Sequence, residues 1–150
     1  MKTKNFKTAL LSILLTLGIT SFCFAQKTSI EANNLPKKAK SFINQHFNGE
    51  KISYVLQDQE YYLIDEYEVV FTEGTKIEFK ANGDWKEISN KGKALKSNLI
   101  PKNIASYSHK TFPQTHIVKI EKNRWNYEIK LSNGLELEFD TKGNFKKLED

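Results

Sequence analysis

The chain has 150 residues, 23 Lys and Arg against 18 Asp and Glu, and a formal net charge of +5 at pH 7, a size suited to one domain with one continuous core. Three of those lysines, Lys2, Lys4 and Lys7, open the chain; without them the balance is 20 to 18 with Lys and Glu interleaved, which excludes the concentrated basic face that nucleic-acid binding needs. Cys23 is the only cysteine, so residues 26–150 have neither disulfide staples nor a catalytic thiol.

Residues 1–25 read as a signal peptide: the charged start precedes an apolar run, Ala9 to Ile19, and the small-residue site Cys23-Phe24-Ala25 stands before Gln26. That run is too short to cross a bilayer of about 30 Å as a helix. The mature chain is therefore expected to be periplasmic or secreted, with no membrane span. Lipidation at Cys23 is the competing reading; Phe22 argues against it, because lipoprotein signals carry a small residue at that position.

Residues 26–34 are polar and read as a flexible leader. A helix follows from Pro36 to about Phe47, since proline at a first turn gives up no needed N–H. Leu35, Ala39, Phe42, Ile43 and Phe47 form its apolar stripe, leaving Lys37, Lys38, Lys40 and Gln45 toward solvent. A strand is expected at Lys51 to Leu56, followed by the mixed acidic and aromatic segment Gln57 to Glu66. Then come alternating apolar and polar residues from Tyr67 to Ile88, broken by Gly74 and Asn82-Gly83, the pattern of a three-stranded meander. Ser89 to Asn98 reads as a connector.

The whole construction then returns. Ile100, Pro101, Ile104, Tyr107 and Phe112 repeat the helix at an offset of 65, and Tyr127 to Leu148 repeat the meander at an offset of 60 with seven identities in 22 positions. The offset falls because the first copy alone carries five extra residues, within Gln57 to Glu66. Two units of about 55 residues are too small for two good cores. The expected fold is therefore α+β: two tandem helix-plus-four-strand repeats, 35–88 and 100–148, forming one antiparallel eight-stranded sheet with both helices on one face. Phe42 and Phe112 are the expected helix anchors. Trp85 and Ile88, like Phe145 and Leu148, stand three apart, which a regular strand cannot place on one side; either a bulge or an aromatic on the open face resolves this.

These residues carry a resemblance. Two units of Leu/Ile-Pro, a helix ending in Phe, Tyr-Glu-Val/Ile, Gly, apolar-Glu-Phe, Gly and Trp/Phe, behind an export signal, resemble the PepSY-like family of beta-lactamase-inhibitor-like exported bacterial proteins over Leu35 to Leu148. The resemblance implies a PepSY-like domain over 35–150 and a protein that acts by binding, not by catalysis. Fold alone does not set function.

The motifs of chemistry are missing from the sequence. His46, His109 and His116 stand in no triad or metal-ligand spacing. The acidic cluster Asp58, Glu60, Asp65, Glu66 and Glu68 lacks the glycine of a calcium loop, and no phosphate loop occurs. No catalytic, metal or cofactor residue is assigned. The polar side of the meanders carries Glu68, Lys76, Glu78 and Lys80 in one copy and Glu128, Lys130, Glu136 and Glu138 in the other, read as opposite charges facing across strands. The expected function is a non-enzymatic, monomeric module that binds a protein or peptide of the cell envelope, as an inhibitor of an envelope enzyme in its sharpest form, through the open sheet face; Tyr54, Tyr61, Tyr62, Trp85 and Trp125 are the candidate anchors. The alternative is a structural or stress-related envelope protein without a single tight partner.

Overall fold

The structure, a computed structural model, describes residues 26–60 and 63–149; residues 1–25, read above as a signal peptide, lie outside the described residues, as do Tyr61 and Tyr62. Nine strands form a single antiparallel sheet in chain order: β1 (Gln26–Ser29), β2 (Ile52–Glu60), β3 (Leu63–Phe71), β4 (Thr75–Lys80), β5 (Trp85–Asn90), β6 (Ile117–Lys122), β7 (Asn126–Leu131), β8 (Glu136–Asp140) and β9 (Phe145–Glu149). Helix α1 (Lys37–His46) precedes β2 and α2 (Lys102–Thr111) precedes β6. The α+β class and the repeats stand; the strand count is corrected from eight to nine. The extra strand comes from the supposed leader, whose backbone pairs Lys27 with Asp58 and Thr28 with Gln57. Its polar composition conceals this, because an edge strand is held by main-chain hydrogen bonds and needs no apolar pattern.

Directly paired residues of an antiparallel sheet share a face. One row therefore runs through Val55, Val69, Ile77, Ile88, Ile120, Ile129 and Leu137 across seven strands, and all seven are buried. The next row holds Tyr67, Phe79 and Trp85 in the first repeat and Tyr127, Phe139 and Phe145 in the second. Phe42 of α1 meets Phe79 edge-on at 5.9 Å, and Tyr107 of α2 meets Phe139 in the same way at 5.5 Å. Both helices thus lie on the apolar face, and the core is the layer between them and the sheet. The seam between repeats is closed by β5 and β6, with Ile88 opposite Ile120.

The three-residue spacing is resolved by a bulge in each copy. Glu78 pairs with Glu87 and Phe79 with Trp85, so Lys86 is the extra residue; Glu138 pairs with Lys147 and Phe139 with Phe145, which leaves out Lys146. The bulge turns Trp85 and Phe145 toward the helices and sends both lysines to the opposite face. The five extra residues of the first copy lengthen a hairpin: β2 and β3 have nine residues each, whereas β6 and β7 have six.

Candidate functional site

The face without helices has a regular charge pattern. Glu68, Glu78, Glu87, Glu121, Glu128 and Glu138 stand in one row across β3 to β8, each directly opposite the next. Opposite charges do face one another where Lys130 stands opposite Glu136 at 2.7 Å, but in this central row the expectation is corrected, because like charges face one another. Like charges directly opposite destabilise a sheet, and the remedy lies in the flanking rows. Lys76 reaches Glu78 at 2.6 Å and Glu87 at 3.6 Å, Lys119 reaches Glu87 at 2.9 Å and Glu121 at 3.4 Å, and Lys27 reaches Glu68 at 3.4 Å. The two bulge lysines serve the same row: Lys86 lies 3.8 Å from Glu78 and 2.9 Å from Glu66, while Lys146 pairs with Glu138. Glu128 accepts hydrogen bonds from the side-chain amides of Asn123 and Asn126. Every glutamate of the row has a partner.

Burial pushes the Glu87 carboxyl up, but the hydrogen bond and charge of Lys119, with Lys76, outweigh it and leave the group below its ordinary 4.5. The hydrogen bond from Lys146 holds Glu138 below the same value. A carboxylate depressed by folding contributes stability above its unfolded pKa and loses it as pH falls through the folded one. The lysines go the other way. The hydrogen bond that Lys86 donates to Glu66 raises Lys86 above 10.5, and at Lys119 burial lowers the value but the hydrogen bond to Glu87 and the charges of Glu87 and Glu121 outweigh it, so their contribution is lost only as pH rises above that value. Thermal unfolding should therefore be flat through neutral pH and fall below about pH 4.5. In a Glu87→Gln, Glu138→Gln double variant the acid limb should be shallower; an equally steep limb contradicts this origin.

The candidate anchors are dispersed. Tyr54 pairs with Val70 on the open face and is 43% exposed. Trp125, 73% exposed, sits in the turn between β6 and β7 with the Arg124 guanidinium 4.6 Å from its ring. Trp85 is on the helix-covered side, its ring 6.3 Å from Phe42, and so does not belong to the open face. Tyr61 and Tyr62 fall outside the described residues. The β2–β3 arm beside them exposes Leu63 (74%) and Ile64.

The histidines assemble no hydrolytic centre. His46 packs against Phe42, with ring centroids 4.5 Å apart. His109 and His116 share a groove of about 280 Å³ with Ser108 and Thr115, but no carboxylate lines it to orient an imidazole. Among the described residues, no group of three or more His, Cys, Asp or Glu side chains converges to hold a metal ion. A second, larger groove of about 840 Å³ opens on the helix side, between α1 and the β6–β7 turn. No sequence pattern announced it, because it forms between residues of different repeats.

A family model described as "Putative beta-lactamase-inhibitor-like, PepSY-like" matches residues 23–66 and 65–147. Three solved structures are similar. One, described as a "putative calcium-regulated periplasmic protein" from Bacteroides thetaiotaomicron, is 34% identical over 83% of this chain and 97% of its own, with a TM-score of 0.76. Two periplasmic proteins from Bacteroides vulgatus are 33% and 36% identical, with TM-scores of 0.73 and 0.75, over 83% of this chain and 98% and 100% of theirs. No curated protein matches. Among the described residues, no helix is long and apolar enough to cross a membrane.

Proposed function

Since this chain belongs to the PepSY-like family and its solved relatives are described as periplasmic, we propose that it is a non-enzymatic periplasmic or secreted module that binds an envelope protein through the helix-free sheet face, after removal of residues 1–25. The observation that carries this reading is the self-neutralised state of that face. Covering a charge is costly when its partner is left behind in water. Here each glutamate of the row already holds a lysine or asparagine of the same face, so a partner can cover the row without stranding a carboxylate. Nine strands spaced about 4.8 Å apart make a surface about 38 Å wide, enough for the roughly 800 Å² per partner of a standard interface. The fixed charge pattern supplies register and specificity. Tyr54 and the exposed Leu63 of the β2–β3 arm supply apolar contact at one margin, to which Tyr61 and Tyr62 add candidate aromatic area. Inhibition of an envelope enzyme is the sharpest form of this role.

The calcium regulation in the description of the Bacteroides thetaiotaomicron relative is no part of this proposal. The row's carboxylates are strung out along strands about 4.8 Å apart and engaged by lysines, and they do not converge as calcium donors do.

A photo-crosslinking side chain placed at Tyr54, Val70 or Glu136 on the open face, and at Lys102 or Lys110 on α2 as control, tests the proposal in the intact envelope. The expected result is one discrete adduct from the open-face positions, with affinity reduced about tenfold or more by Tyr54→Ser. Adducts from α2 alone, or none under several growth conditions, contradict it and favour a structural role.

A further inference from the structure

The groove of about 840 Å³ on the helix side is chemically unlike the open face. Its floor is aromatic, made by Phe42 of α1 and Trp85 of β5, and its rim carries Lys37, Lys38, Lys80, Lys122 and Arg124 against a single carboxylate, Asp84. That carboxylate is taken by Lys38 at 3.0 Å. Lys122 lies over the Trp85 ring at 5.6 Å and Arg124 over Trp125 at 4.6 Å. Among the described residues, Lys37, Lys80, Lys122 and Arg124 form no ion pair. Lys80 stands directly opposite Glu66 and so belongs to the open face, touching the groove only at its margin; Lys37, Lys122 and Arg124 are the cations left over on the helix side.

The second repeat keeps Lys37 as Lys102 but shows that folding does not require the rest of this side of the groove. At the matching positions Lys38 becomes Asn103, Lys80 becomes Asp140 and Trp85 becomes Phe145, yet the same helix lies on the same strands. There the matching rings close up, Tyr107 stacking on Phe145 at 4.7 Å and 10°, whereas Phe42 and Trp85 stand 6.3 Å apart at 33°. The third wall, Lys122 to Arg124, belongs to the end of β6 and the β6–β7 turn and has no equivalent beside β9, the last strand of the sheet. Among the described residues the groove therefore lies at the junction of the repeats, with unneutralised cations contributed by both.

We propose that this groove binds an acidic peptide segment, with an aromatic or aliphatic side chain on Phe42 and Trp85 and flanking carboxylates among Lys37, Lys122 and Arg124. Charge complementarity sets the sign of the ligand, and the apolar floor sets its anchor. A peptide fits better than a compact anion, because the cations come from three separate elements around a hydrophobic centre and a single phosphate leaves that centre uncovered. The site lies on the opposite side of the sheet from the docking face and stands or falls independently of it.

The chain has two tryptophans, so a Trp125→Phe background leaves Trp85 as the only indole reporter. Its fluorescence is titrated with acetyl-Asp-Glu-Phe-Glu-Asp-amide, with the peptide in which Asn and Gln replace the acids, and with tripolyphosphate. The acidic peptide should change Trp85 emission saturably, bind about tenfold or more tightly than its neutral counterpart, and weaken as salt rises from about 50 to about 500 mM. Lys37→Gln with Lys122→Gln should weaken it about tenfold at an unchanged unfolding temperature, while Lys130→Gln on the open face should not. Equal binding of the neutral peptide, no saturable change, or tripolyphosphate binding as tightly as the peptide overturns the proposal, the last by exposing a simple anion site.

Discussion

Replacement of Phe79 or Phe139 by Ala should lower the free energy of unfolding by about 3–5 kcal/mol each. Both rings are fully buried at the same position of their repeats, and each is where a helix meets the sheet edge-on, through Phe42 in one case and Tyr107 in the other. Small domains have about 5–15 kcal/mol in all, so either loss takes a large share and should move the urea midpoint strongly. Phe42 and Phe112, the anchors expected from the helix stripes, are only half-buried; the deeper contact of α1 is Phe47, stacked on Phe71 at 4.7 Å. Phe42→Ala should accordingly cost less than Phe79→Ala. A cost below about 1 kcal/mol at Phe79 means that α1 does not lie on that row.

Gly83→Ala is the second large effect expected. The residue has φ +83°, where an L side chain is strained, and an added Cβ would stand 2.8 Å from Pro36 Cβ and 3.1 Å from the Ala39 backbone nitrogen. The neighbours are the start of α1 and cannot yield without lifting the helix. Gly74 has φ +92° but nothing within 4 Å of its added Cβ, so it isolates the conformational cost, about 1 kcal/mol. Gly83→Ala should cost about 2–4 kcal/mol, the excess being steric. Equal losses in the two variants, compared by urea denaturation, mean that α1 does not approach the β4–β5 turn closely.

Local order was legible wherever one segment determines its own structure. The Leu-Pro and Ile-Pro helix starts, the glycine turns and the apolar alternation gave both helices and eight strands, because capping, left-handed backbone and burial act within a few residues. What escaped depends on pairing between distant segments. β1 has no apolar signature and is visible only through its hydrogen bonds to β2. The spacing of Trp85 and Ile88 allowed two resolutions, and only the register shows that Lys86 is the bulge residue. The glutamate row was the hardest to read: Glu68 and Glu78 look like ordinary surface positions until the ladder aligns them with Glu87 and Glu121 across the seam. For the same reason Trp85, a candidate for the open face by composition, belongs to the groove, whose walls meet only when both repeats are folded.

All of this rests on one sheet continuing across the two repeats, since the open face and the groove each need β5 joined to β6. Native-state amide hydrogen exchange tests that junction. The amides of β5 and β6 bonded across the seam around Ile88 and Ile120 should be protected to the same degree as those joining β3 to β4 and β7 to β8, exchanging only through global unfolding. Seam amides that exchange through a separate, lower-energy opening while both meanders stay protected would show two independent units and contradict the continuous sheet.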